Sequence, residues 1–262
     1  MKFSKYTKTA LAAAEAGAEV LLRYYNKNLN IEYKGEIDPV SQADKNAQKA
    51  IINIIKSVFP EHGILAEEDG VNEIRKDFCW ILDPLDGTVN FVHGVPVFCV
   101  SIALKYKKEI ISGVIYSPVI KEIFAAEKGK GAYLNGKKIK VSRIKDLIRS
   151  LAVTGFPYYV RKKSKRVIEN FTNIMMNTQG MRRLGSAALD LAYVACGRFE
   201  FFWEEGLKPW DIAAGALIVK EAGGIVSDYE GSKDFIFKDT MLASNNKIIH
   251  GKVIRILDHK NN

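Results

Sequence analysis

FCWILDPLDGTVN, Phe78–Asn90, joins an apolar run to two carboxylates three positions apart, with a glycine and a threonine directly behind. The run Phe78–Leu82 reads as a buried strand. Asp83 and Asp86 stand at its end, where Asp-Pro and Asp-Gly are also ordinary turn dipeptides. Two anions this close repel each other and resist burial unless something positive lies between them. The stretch therefore signals either a plain turn or a cation site, and its surroundings must decide.

Those surroundings are acidic in the same way. GILAEED (Gly63–Asp69) is a second short apolar run that finishes in acid, so Glu67 and Glu68 reach the same sheet edge. Asp211 follows Trp210 at the start of PWDIAAGALIVKEAGG, a helical pattern opened by Pro209 and stopped at Gly223-Gly224. A favourable charge in the first helical turn would explain Asp211, and a capping role would explain Asp44. Each acid alone has a bland explanation. Several of them at strand ends and helix starts fit a shared cation site better. Oxygen ligands with no His or Cys nearby suit Mg²⁺. A cluster of Glu67, Asp83, Asp86 and Asp211 repels itself, and divalent ions would neutralise it.

The remaining pattern supplies a scaffold. An Ala-rich amphipathic helix spans about Lys5–Tyr25, with Leu11, Ala14, Ala18, Leu21 and Leu22 on one face. A second helix begins near Asp44 and carries Ala47, Ile51, Ile54, Ile55 and Val58 inward. VFCVSIALKY, EIISGVIYS and KEIFAAEKG follow Asn90 as an antiparallel meander, and Asn135-Gly136 marks a hairpin. After about Ser142 strands and helices alternate: LAVTGF, then VIENFTNIMM, SAALDLAYVACG, RFEFFWEEG, the Pro209 helix, IVSD, MLASN and a final helix HGKVIRILDH. Mixed sheets layered with helices are expected, in an α/β (α+β) fold. Two lobes are expected, 1–145 with most of the acids and 146–262 with Asp211.

The chain has 262 residues, 47% hydrophobic and 26% charged, so a sizeable core is expected and disorder is not. A net charge of +9 and a pI of about 9.3 suit acidic partners without choosing among them. Three cysteines without a CxxC pair argue for a reducing compartment and against a thiolate zinc site. The four histidines show no metal-binding spacing. MKFSKYTKTA has no long apolar core, so no signal peptide is expected, and no membrane-length apolar run occurs in the sequence. The expectation is a soluble cytoplasmic protein with no membrane partner.

With Glu67-Glu68, Asp83-Pro84-Leu85-Asp86-Gly87-Thr88, Trp210-Asp211 and Glu221-Ala222-Gly223-Gly224, the chain resembles the inositol monophosphatase family. Lys128–Ala132, Asn135-Gly136 and Arg183–Ala188 are similar to further parts of that pattern, which runs from about residue 5 to 257. The resemblance implies a layered α/β/α/β/α sugar-phosphatase fold, a homodimer, and Mg²⁺-dependent hydrolysis of a phosphorylated polyol or sugar such as inositol monophosphate. It implies Glu67, Asp83 and the Leu85 carbonyl as ligands of one metal, Asp83, Asp86 and Asp211 as ligands of a second, and a third, weaker metal near Glu67. Asp44 and Thr88 are similar to the pair that orients the attacking water. Gly185, Ser186, Ala187, Asp211 and Glu204 correspond to substrate contacts, Glu204 to one with a sugar hydroxyl. Lys34 corresponds to a loop contact with the metal site. Val89 and Lys208-Pro209 depart from the pattern, and Lys208 bears on the substrate's far end.

Gly87 and Thr88 are expected to begin a helix, where a glycine lets phosphate approach free N–H groups; a turn glycine and an N-cap threonine are the plainer alternatives. Two rival activities follow: fructose-1,6-bisphosphatase, alone or as a second activity, and a regulator that binds RNA or the transcription machinery. The last rests on charge. Lys105–Lys145 holds eleven Lys or Arg against three Glu, and Arg161–Arg166 reads RKKSKR, although such runs are usually solvated faces. Phe199, Phe201, Phe202 and Trp203 could stack bases, but at strand spacing they read as core or dimer packing.

Overall fold

In the computed structural model, which describes residues 3–27, 31–33, 39–68, 73–161 and 165–257, Phe78–Asp86 is a strand of the chain's larger sheet, one in from its edge. Helix α1 (Lys5–Tyr24) opens the chain. The antiparallel ribbon β1 (Ile31–Tyr33) and β2 (Pro39–Ser41) leads into α2 (Gln42–Val58). The larger sheet then runs β3 (Gly63–Ala66), β4 (Phe78–Asp86), β5 (Cys99–Tyr106), β6 (Glu109–Ser117), β7 (Glu122–Glu127), β8 (Gly131–Leu134) and β9 (Lys137–Lys138) in that spatial order. The short helix α3 (Thr88–Val92) follows β4 directly. Only the β3–β4 pair is parallel; the rest is the expected meander.

The second sheet is built from β10 (Leu151–Thr154), β11 (Gly180–Arg182), β12 (Phe201–Glu205), β13 (Ile225–Ser227) and β14 (Thr240–Ser244), in the order β11-β10-β12-β14-β13. It is mixed: β10 is parallel to β11 and β12, and β14 is antiparallel to β12 and β13. Helices α4 (Lys165–Asn177), α5 (Ala187–Ala195), α6 (Pro209–Glu221) and α7 (Lys247–Leu257) interleave with these strands.

Apolar parity explains the layers. In β4, Trp80 and Leu82 pack with Ala10, Ala14, Ile51 and Ile55 of α1 and α2, whereas Cys79 and Ile81 face α5 and α6. Both faces are covered, so the strand is apolar without alternation. The second sheet repeats this: Val153 and Phe202 face α5 and α6, and Ala152, Phe201 and Trp203 face α4 and α7. The result is five layers: α1 with α2, the larger sheet, α5 with α6, the smaller sheet, and α4 with α7. The layered α/β architecture expected from sequence is present. The central helix α6 is buried continuously from Ile212 to Val219, as a helix between two sheets must be.

The outer helices differ in detail from the sequence reading. Helix α1 presents small residues, Ala10, Ala13, Ala14, Gly17 and Ala18, to its neighbours, while Leu22 is 45% exposed. A side chain at Gly17 would meet Ile51 at 2.8 Å, so a glycine sets the approach of α1 to α2. Phe199, Phe201, Phe202 and Trp203 are all buried and unavailable for base stacking. The cysteines are free. No helix among the described residues is long and apolar enough to cross a membrane.

Candidate active site

Strand parity carries Asp83 to the face of Cys79 and Ile81, toward α5 and α6. A bulge then intervenes: Asp83 pairs with Ser101 but Asp86 with Cys99, so three residues on β4 span two on β5. The extra residue bends the strand end and aims both aspartates into one space. The Asp83 Oδ1 accepts the Leu85 N–H at 2.9 Å, which holds the bend.

Gly87 closes it in the left-handed region at φ 93°. An added Cβ there would lie 2.9 Å from the Val97 carbonyl and 3.3 Å from that of Gly185, so only glycine fits. The expected helix start at Thr88 is present, and it is short, five residues.

Three other elements converge on the bend. Gln48 of α2 donates to the Glu68 carbonyl at 2.8 Å and accepts its N–H at 3.0 Å. The Glu67 N–H donates to the Leu82 carbonyl at 3.3 Å, which sets Glu67 beside Asp83. From α6, Asp211 accepts the Lys208 N–H at 2.7 Å, capping its own helix while facing the acids. From α5, the Ser186 hydroxyl donates to Asp86 Oδ2 at 2.6 Å and the Ala188 N–H donates to the same oxygen at 2.8 Å. Asp86 is thus the anion at the α5 N-terminus.

A cavity of about 310 Å³ results. Glu67, Asp83, Leu85, Asp86 and Asp211 line it, as do Gly87, Thr88, Gly185, Ser186, Ala187 and Glu204. Asp44 lies buried beneath rather than on its wall. The Thr88 hydroxyl donates to the Leu85 carbonyl at 3.0 Å and stands 3.5 Å from Asp44 Oδ1, the outer limit of a hydrogen bond. Lys34 is outside the described residues.

The acids perturb one another. Burial first, then Glu67, Asp86 and Asp211, push the Asp83 carboxyl well above the usual range. Asp211 is raised by burial, Glu67 and Asp86. Burial raises Asp86 while Ser186 and the α5 N–H groups oppose it. Among the described residues no three His, Cys, Asp or Glu side chains are placed to hold a metal ion as they stand; the carboxylates face a common cavity instead. An all-oxygen donor set whose ionised form is this costly fits a hard divalent cation.

The cavity wall also holds Asp190 and Gly155, which the sequence did not single out. Asp190, one turn along α5 from Ser186, lines the cavity, and its Oδ1 is buried without a hydrogen-bond partner. Spacing of four along a helix was the available signal. Glu204 on β12 is pushed up to about 8 by burial and Asp86, against the pull of Arg183. Gly155 has no Cβ because one would overlap the Glu204 carboxylate; nothing in LAVTGF announces that. Lys208 and Val89 also line the cavity.

The family profile described as the inositol monophosphatase family matches residues 2–261. The chain is 42% identical to the Nus factor SuhB of Pseudomonas aeruginosa over 95% of each chain. It is 44% identical to an inositol-1-monophosphatase of Mesorhizobium japonicum, covering 85% of this chain and 84% of that one. The crystal structure of extragenic suppressor protein suhB from Bartonella henselae superposes with a TM-score of 0.92 at 41% identity, covering 98% and 100% of the two chains. The chain belongs to the inositol monophosphatase family.

Proposed function

We propose that the chain hydrolyses myo-inositol 1-phosphate to inositol and phosphate, with Mg²⁺ as cofactor. The observation that carries this reading is the single cavity lined by Glu67, Asp83, Asp86 and Asp211 on one side and by Gly185, Ala187, Asp190 and Glu204 on the other. Glu67, Asp83 and the Leu85 carbonyl would hold one ion, Asp83, Asp86 and Asp211 a second, and Glu67 a third, weaker one. Bound divalent cations supply Lewis-acid stabilisation of the phosphoryl oxygens and acidify a coordinated water.

The chain's own groups do the positioning. With its hydroxyl donating to Asp44 rather than to the Leu85 carbonyl, Thr88 can accept from a water on the cavity side, and Asp44 takes the role of base. Gly87 leaves room for the phosphate against the backbone. Glu204 and Asp190 offer carboxyl groups to polyol hydroxyls, and Lys208 stands at the rim. The chain is read as two lobes, 1–145 and 146–262, with the site between them, as a homodimer, and as cytoplasmic.

Phosphate monoester hydrolysis has a very high uncatalysed barrier, so losing one positioned charge costs orders of magnitude in rate. Asp86→Asn and Asp211→Asn should each lower kcat by at least about a hundredfold with circular dichroism unchanged. Near-normal turnover in both would end the proposal. A panel of inositol monophosphates, fructose-1,6-bisphosphate and p-nitrophenyl phosphate, run with Mg²⁺ and with chelator, decides the substrate.

A second reading rests on the likeness to the Pseudomonas aeruginosa Nus factor SuhB, together with the net charge of +9. On that reading the chain also binds RNA or a transcription protein. Salt-dependent RNA binding that survives Asp86→Asn would support it, and absence of RNA affinity at low salt would remove it.

A further inference from the structure

A second cavity, of about 350 Å³, shares no lining residue with the first. It opens where the C-terminal half of α6 meets the β5–β6 turn, the β7–β8 turn and the segment 233–237. Its floor is apolar: Leu217 and Phe235 are buried, Ile110 is half-buried, and Phe237 stands 60% exposed as one wall. Its rim is cationic. Lys105, Lys108, Lys128, Lys220 and Lys233 line it, against Glu109, Glu221 and Asp234.

Two of those three acids are already spent. Glu109 pairs with Lys128 at 2.7 Å. Glu221 accepts the Gly129 and Gly131 N–H groups at 2.8 and 2.7 Å. Lys105 donates to the Lys76 and Lys107 carbonyls. Among the described residues Lys108, Lys220 and Lys233 form no ion pair within 4.0 Å. The Lys220 ammonium sits 5.1 Å from the Phe235 ring centroid, an aromatic face that also suits a planar guest. Burial and then the neighbouring Lys233 disfavour its charged form. Three unpaired ammonium groups thus surround a concave apolar floor of the volume small molecules occupy.

We propose that this cavity is a second ligand site, which takes a small amphipathic organic anion: a compact aromatic or aliphatic body carrying one or two phosphate, sulfonate or carboxylate groups. The floor would bury the body, and Lys108, Lys220 and Lys233 would pair with the charge. A nucleic-acid backbone is a poorer match, because its phosphates track an extended basic surface and leave an apolar floor unused. The site accounts for part of the basic excess of Lys105–Lys145 that the hydrolytic centre does not use.

The probe is 8-anilinonaphthalene-1-sulfonate, titrated by fluorescence into the full chain with Mg²⁺ present. Saturable binding of one equivalent is expected, with the neutral N-phenyl-1-naphthylamine and inorganic phosphate each binding at least tenfold more weakly. The double variant Lys220→Glu, Lys233→Glu should lose at least tenfold in sulfonate affinity, with melting temperature and hydrolysis rate unchanged. Lys108→Glu, on an exposed turn, should weaken binding in the same direction and serves if the double variant does not fold. Equal affinity in parent and variants overturns the proposal, as does equal binding of the neutral probe. Displacement of the sulfonate by inositol 1-phosphate would assign the signal to the first cavity. Displacement by single-stranded RNA, lost in the same variants, would make the patch a polyanion surface; either result overturns it.

Discussion

Asp190 shows how one side chain can divide stability from recognition. Its carboxyl is buried in the cavity wall, its Oδ1 has no hydrogen-bond partner, and burial with Glu204 and Asp86 nearby pushes its pKa well up. An orphaned buried oxygen costs roughly 1–3 kcal/mol unless a partner arrives. A polyol hydroxyl would be that partner. Asp190→Ala is expected to raise KM for inositol 1-phosphate several-fold and leave kinetics on p-nitrophenyl phosphate, which has no hydroxyls, unchanged. Parallel losses on both esters would mean that Asp190 only supports α5. Gly155 belongs to the same corner, because the space a methyl group would take is filled by the Glu204 carboxylate.

At the scale of elements, legibility followed burial. Strand β4 and helix α6 stood out in the sequence because each is covered all round, so their apolar runs are long and unbroken. The acids at their ends stood out for the same reason, since charge directly after such a run is conspicuous. Strand β11 was missed: Gly180–Arg182 is three residues with no apolar stretch, and its edge position follows from pairing with β10, a long-range contact. Helix α7 begins at Lys247, three residues before the expected start, because Asn246 accepts the N–H groups of Ile248 and Ile249.

His250, on α7, ties that helix to the smaller sheet. Ser227 donates its hydroxyl to the Asp228 carbonyl at 2.6 Å, so it accepts from Nε2–H at 2.8 Å. The Nδ1 lone pair then accepts from Ser244 at 2.8 Å. This arrangement needs neutral imidazole, and burial pushes its pKa down to about 4 from 6.5. A proton is therefore bound by the unfolded chain but not the folded one between those values. The contribution is complete above about pH 6.5 and is lost as pH falls toward 4, up to about 3 kcal/mol in all. Urea titrations of the parent and His250→Gln at pH 7 and pH 5 should show a smaller pH dependence in the variant. Equal slopes would remove His250 from the acid sensitivity.

Across the whole molecule, the site is the place where the two sheets and the α5–α6 layer are stitched together. Glu67, Asp83 and Asp86 come from the larger sheet and its margin, Glu204 from the smaller sheet, and Asp190 and Asp211 from the helices between. Their mutual repulsion therefore acts across layers, and folding must overcome it. Asp83 feels Glu67, Asp86 and Asp211 together, and Asn at this position keeps an oxygen for the Leu85 N–H while deleting one charge. In chelator, Asp83→Asn is expected to melt above the parent; relieving repulsion on the order of 1 kcal/mol shifts Tm by roughly 2–4 °C in a chain of this length. Adding Mg²⁺ should reverse the ranking, because a ligand at free concentration L that binds only the folded state stabilises it by RT ln(1 + L/Kd), which keeps growing as the ion exceeds its Kd. The parent should gain several degrees at millimolar Mg²⁺ and the variant little. Calorimetry with and without the ion tests both halves. A variant that melts below its parent in chelator would show that the Asp83 carboxylate stabilises the fold rather than strains it, and that the acids meet for packing and not for a cation.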